Sequence, residues 1–172
     1  MILIVAGVSG SGKTTVGKLL AGLLHWSFAD ADSFHSEANV AKMRSGIPLT
    51  DEDRRPWLDS VCGWMDAQIA AGTSAVIACS ALKRAYRDEL LSGRPTATMV
   101  FLHVDKDVLA ARLTGRPGHF FPRQLLQSQL DTLEPPSPDE RVRTIASEGD
   151  PALTATKIIG LLWPGRQPDT QA

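Results

Sequence analysis

Residues 7–14 read Gly-Val-Ser-Gly-Ser-Gly-Lys-Thr and satisfy G-x-x-x-x-G-K-S/T at every fixed position. That motif demands a particular backbone. A phosphate chain needs several main-chain N–H donors converging on it, and only a glycine-rich turn leaves room for that approach. The donors must also sit at a helix N-terminus, where the macrodipole favours anions. The flanking residues supply that setting. Ile2-Leu3-Ile4-Val5 is a continuous apolar run of the kind buried on both faces of a sheet. Residues 13–24 carry Val16, Leu19, Leu20, Leu23 and Leu24 at helical spacing.

The strand–loop–helix unit is that of a P-loop NTPase. Its nucleotide-binding candidates are Gly7, Ser9, Gly10, Ser11, Gly12, Lys13, Thr14 and Thr15. Lys13 is placed to bridge the β- and γ-phosphates of ATP and is the first catalytic candidate, and the Thr14 hydroxyl is a Mg2+ ligand candidate. The motif alone leaves the phosphoryl acceptor open. No N-K-x-D segment of the guanine-reading kind is present, and the run at 75–79 leads into Ser80 with no acidic residue at its end. A small-molecule kinase therefore fits better than a switch GTPase or a motor ATPase.

The rest of the chain alternates in the same way. Strands are expected at 26–29, 75–79, 98–104 and 141–146, and helices at 36–46, 51–71, 81–91, 105–113 and 151–162, with a helical segment within 120–133. Alternation of this kind builds an α/β fold, a five-stranded parallel sheet with helices on both faces. Two stretches break the pattern, an acceptor lobe at about 33–72 and a lid at about 115–138. They read as insertions over the carboxyl ends of the strands, where ligands bind in such sheets. Thr50 is followed three residues later by Asp53 rather than Glu, an imperfect capping box. One domain over 1–163 and a flexible tail at 164–172 complete the expected layout.

With 18 basic and 19 acidic residues the net charge is −1, which argues against nucleic-acid binding by bulk positive charge. Two cysteines, Cys62 and Cys79, give neither a disulfide framework nor zinc-site spacing. No apolar stretch approaches the roughly 18 residues of a membrane span. The expectation is a cytoplasmic protein with no membrane partner.

Asp30 and Asp32 stand where an acceptor hydroxyl would meet the γ-phosphate. One carboxylate can hold Mg2+ through water while the other orients the hydroxyl proton, although an Asx turn or a helix cap uses the same residues. The residues that follow add specificity. Asp30 through His35, Asn39, Lys42-Met43, Gly46 through Arg54, Pro56-Trp57-Leu58, Ala78 through Arg87, Gly118 through Phe121 and Gln129 through Pro136 together resemble the gluconokinase family. The resemblance extends to about residue 162. It implies ATP- and Mg2+-dependent phosphorylation of D-gluconate at its 6-hydroxyl, on the fold shared with shikimate kinase and the nucleoside monophosphate kinases. Family members are often dimers, so it also implies a homodimer. Ala31, where many members have Gly, and Pro117, in place of a polar lid residue, depart from the pattern.

Gluconate pairs a carboxylate with a row of hydroxyls, so its site needs a fixed cation and mixed donors and acceptors. Arg54, Lys83 and Arg87 are the candidates for the carboxylate, the last two sharing a face of the expected helix at a separation of four. Arg84 remains open between that face and solvent. Asp32 is the favoured orienting group for the hydroxyl, with Asp30 as the Mg2+ partner. His35 can bond a sugar hydroxyl or Asp32, or serve structure alone, and His119 can close over the acceptor from the lid. Arg112 is a nucleotide-binding candidate and Arg116 a catalytic one, by analogy with lid arginines of related kinases that neutralise phosphate charge. Trp57, Trp64, Phe120 and Phe121 read as packing residues, with Trp57 also able to wall the acceptor pocket. A kinase for shikimate or another hydroxy acid, and a nucleotide-controlled binding ATPase, are the competing readings.

Overall fold

The apolar runs of the sequence pair side by side. β1 (Ile2–Ala6) lies between β3 (Ala75–Cys79) and β4 (Ala97–His103), with Ile2 level with both Ala75 and Ala97. β2 (Ser27–Asp30) and β5 (Val142–Ala146) form the edges, giving a wholly parallel sheet in the order β2-β3-β1-β4-β5. These observations come from a computed structural model that describes residues 1–105, 107–109, 123–147 and 149–165.

Every residue of β1 and β3 is buried, because alternate side chains enter two different cores. Ile2, Ile4, Ile77, Met99 and Phe101 face α3 (Asp51–Ala70), through Trp57, Leu58, Val61 and Met65, and α4 (Arg84–Leu91), through Leu90 and Leu91. Leu3, Val5, Val76, Val100 and Leu102 face α1 (Lys13–Leu24), through Val16 and Leu20, and α6 (Pro151–Leu162), through Ala155, Ile158 and Ile159. The chain leaves β1 toward one face and β3 toward the other. A crevice therefore opens beyond their adjoining carboxyl ends, the switch point at which parallel α/β sheets bind ligands.

Smaller elements surround that crevice. A 3-10 turn (Ala31–Phe34) follows β2, α2 (Glu37–Arg44) lies beyond it, and α5 (Arg123–Thr132) comes from the later part of the chain. Val8, Leu82, Val104 and Leu109 form a third apolar cluster, against which Leu130 and Leu133 pack. This cluster seats α5 beside the phosphate loop.

Several boundaries differ from expectation for local reasons. β2 begins at Ser27 because the Trp26 N–H is spent on Ala21 O (2.9 Å) at the end of α1, and the Trp26 ring packs edge-on against Trp163, with centroids 5.7 Å apart. α4 begins at Arg84, not 81, because Ala81 takes a left-handed φ of 42° and Lys83 is extended. The capping box at Thr50 is complete: Asp53 N–H donates to Thr50 Oγ1 (3.2 Å) and Thr50 N–H to Asp53 Oδ2 (3.0 Å). Aspartate reaches far enough to do what glutamate was expected to do. Of the helix expected at 105–113, residues 107–109 are helical and 110–113 lie outside the described residues, as do residues 115–122 of the expected lid and the tail from 166.

Candidate active site

The loop at 7–12 achieves its shape with positive φ at Gly7 (142°), Gly10 (82°) and Gly12 (96°). At Gly7 a side chain is also sterically excluded, since a Cβ would lie 2.8 Å from Leu102 O and from Ser11 Oγ. The loop is tied to the sheet from both sides. Gly7 N–H donates to Ser80 O (3.3 Å), and Ser147, just past β5, donates its hydroxyl to Ser11 O (3.1 Å) and its N–H to His103 O (2.8 Å). A rigid frame thus holds a run of main-chain amides at the start of α1, the arrangement that binds phosphate.

Lys13 folds back over this loop, its Nζ donating to Val8 O at 3.0 Å. Burial holds its ammonium below the ordinary lysine range, while the charges of Asp32 and Asp30 act in the opposite direction. Thr14 Oγ1 donates to Asp30 Oδ2 at 2.8 Å. A hydroxyl and a carboxylate in contact at the foot of a phosphate loop are hard oxygen donors, suited to Mg2+. β2 ends at Asp30, whose Oδ1 accepts from Asp32 N–H (3.1 Å) and caps the 3-10 turn. Asp30 is thus both the turn cap and the partner of Thr14. Asp32 and Asp30 are separated by that turn rather than by continuing strand.

Asp32 opens onto a cleft that also presents Ser9, Lys13, His35 and Arg54. Five residues singled out from the sequence therefore meet in one space. His35 stacks on Trp57 with centroids 4.7 Å apart and planes 9° from parallel. Trp57 is itself fixed by an Nε1 bond to Ala31 O (2.7 Å). The His35 Nδ1 is buried without a hydrogen-bond partner among the described residues, and desolvation lowers the ring's pKa from 6.5. The imidazole is thus a neutral, oriented group with an unmet polar atom. Asn39 Nδ2 donates to Asp53 O (2.7 Å) and Lys42 pairs with Asp53 (2.7 Å), tying α2 to the first turn of α3. Met43, Pro48 and Leu49 then close the apolar side of the cleft.

The basic candidates separate in space. Arg54 lines the cleft, 3.8 Å from Asp51. Lys83 sits at the N-cap of α4, off the helix face expected for it, and bonds both oxygens of Asp51 at 2.8 and 2.7 Å. Tyr86 O–H donates to the same carboxylate. These donors depress the Asp51 pKa, and the Asp51 bond raises that of Lys83. Arg87 corrects the sequence reading. It is wholly buried, pairs with Glu140 through Nε (2.6 Å) and Nη2 (2.9 Å), and donates from Nη1 to Ala81 O (3.3 Å) and Leu82 O (2.9 Å). With its donors spent on the fold, it braces the turn at 80–83 instead of meeting a ligand. Arg84 also faces away from the cleft, onto Asp139 at 2.7 Å. Arg112, Arg116 and His119 lie outside the described residues.

Three polar cleft residues carried no assigned role in the sequence reading: Ser80, Ser128 and Gln129. Gln129 fell within a segment resembling the family, but nothing in its spacing linked it to a loop 120 residues earlier. Among the described residues no group of three or more His, Cys, Asp or Glu forms a metal cluster.

Comparison with known proteins agrees with this fold. The family model described as shikimate kinase matches residues 9–143. A gluconokinase of Gluconobacter oxydans is 47% identical, over 91% of this chain and 88% of that one. Among solved structures, an unliganded sugar kinase of a Janibacter species superposes with a TM-score of 0.88 at 47% identity, covering 94% of this chain and 93% of its own. A gluconokinase of Sinorhizobium meliloti gives 0.81 at 40% identity, covering 93% and 91%. The chain belongs to the gluconokinase family, within the broader group that the shikimate kinase model describes.

Proposed function

We propose that this protein transfers the γ-phosphoryl group of ATP to the 6-hydroxyl of D-gluconate, giving 6-phospho-D-gluconate and ADP. The observation that carries the reading is the single cleft in which the phosphate-loop lysine, Lys13, meets Asp32, His35 and Arg54. Donor and acceptor are thereby brought into one space.

The acceptor oxygen forms a bond to the γ-phosphorus while the bond to the β–γ bridging oxygen breaks. The acceptor proton passes toward Asp32, which orients the hydroxyl. Phosphoryl transfer has a loose transition state, so alignment and charge neutralisation matter more than a strong base. Lys13 supplies positive charge at the transferring group. Thr14 and Asp30 are the residues that would hold Mg2+, which supplies further neutralisation of phosphate charge when bound. At the other end of the cleft, Arg54 meets the sugar-acid carboxylate, and the neutral His35 Nδ1 accepts a hydroxyl proton as a hydrogen bond.

A panel of acceptors in a coupled ADP-release assay tests this reading. Gluconate is expected to give turnover well above the ATP-only blank. Turnover with shikimate or another hydroxy acid, but not with gluconate, would assign the cleft to that acceptor.

A further inference from the structure

The phosphate loop makes one contact that its own chemistry does not require. Ser9, its third residue, donates its main-chain N–H to Oε1 of Gln129 on α5 at 2.7 Å. Amides of such a loop are anion donors, yet a neutral side-chain oxygen engages this one. The contact also orients the side chain. Ser9 N–H can only donate, so the carbonyl end of the carboxamide must face it and the Nε2 end must point elsewhere. Among the described residues Nε2 makes no hydrogen bond. Gln129 borders the same cleft as Lys13, Asp32 and Arg54. Leu130, next along the helix, packs on the cluster containing Val8, so the helix is seated against the loop rather than merely touching it. An amide donor is thus turned away from Ser9 by its own carbonyl end and left without a partner among the described residues, on the border of the cleft proposed to hold both substrates.

Resting on the gluconate-kinase reading, we propose that Gln129 is a further catalytic residue: Oε1 sets the loop at Ser9, and Nε2 donates a hydrogen bond to an oxygen of the transferring phosphoryl group. A donor held there before the reaction stabilises charge on the equatorial oxygens without reorganisation.

Two substitutions separate this role from simple tethering. Gln129→Glu keeps the shape and still accepts from Ser9 N–H, but replaces the NH2 donor with an anionic oxygen. Gln129→Met removes the donor without adding charge. With saturating MgATP and varied gluconate, both variants are expected to lose about tenfold or more in kcat, while the KM for gluconate changes by less than about threefold. Gln129→Glu is expected to keep the melting temperature of the parent. If either folded variant retains kcat within tenfold of the parent, or if the loss lies in KM alone, the proposal is overturned. Gln129→Glu decides the matter if Gln129→Met does not fold. Should the parent phosphorylate a different acceptor, the same comparison run with that acceptor separates an error about the substrate from an error about Gln129.

Discussion

Arg54 and Arg87 are both arginines beside the turn at 80–83 or the cleft it borders, yet burial and partners give them different work. Arg54 keeps a guanidinium toward the cleft, and its ion-pair contact with Asp51 is long at 3.8 Å. Arg54→Ala is expected to raise the KM for gluconate by about tenfold or more, the cost of a lost charged hydrogen bond, and to leave ATP affinity unchanged. Separate titrations of the two substrates check this. Arg87 and Glu140 have side chains 0% and 2% exposed, so removing one leaves the other buried and unpaired. Arg87→Met is expected to cost about 3–5 kcal/mol of stability, read by denaturant unfolding. The sequence could not reveal that pairing. A basic residue four positions after a lysine has the pattern of a solvated helix face, and its acidic partner lies 53 residues further on. Asp30, Asp32 and His35 could be named from the sequence because they fall in one short segment that resembles the family, whereas the contacts of Asp30 with Thr14 and of His35 with Trp57 could not. Gln129 was hidden for the same reason as Glu140.

At the scale of elements, the loop and the sheet depend on each other. At Gly7 the chain leaves β1 where the Leu102 carbonyl of β4 occupies the space a Cβ would need. Gly7→Ala is expected to cost about 1–3 kcal/mol through its left-handed φ alone, and the displaced loop should bind MgATP measurably more weakly by calorimetry. The strands were readable almost residue by residue. Continuous apolar runs such as Ile2–Ala6 and Ala75–Cys79 arise where helices cover both sheet faces. Helix starts were less readable, because they depend on single dihedral angles. Ala81 at φ 42° delays α4 by one turn, and no local composition announces a left-handed alanine. The Thr50 cap shows the converse, a signal discounted for one missing methylene that the backbone accommodates.

For the whole molecule, the same desolvation that keeps His35 neutral couples folding to pH. Its folded pKa lies below the ordinary 6.5, so the unfolded chain takes up the proton first as pH falls. The stabilising contribution is complete above 6.5 and is lost as pH falls through the lowered value. Stability of the parent should therefore decline more steeply below pH 6.5 than that of His35→Gln, measured by urea unfolding across that range. Cys79 belongs to the same buried interior. Burial pushes its thiol up to about 12, so it serves as packing beneath the site rather than as a nucleophile. If one cleft aligns a triphosphate with a sugar-acid hydroxyl as proposed, water is not the acceptor. Phosphorus NMR of a mixture of the protein, MgATP and D-gluconate tests it directly. A phosphomonoester signal is expected to grow as the γ-phosphate signal falls, in equal amount and with no matching rise of inorganic phosphate. Inorganic phosphate in place of the ester, or an unchanged ATP spectrum, would contradict it.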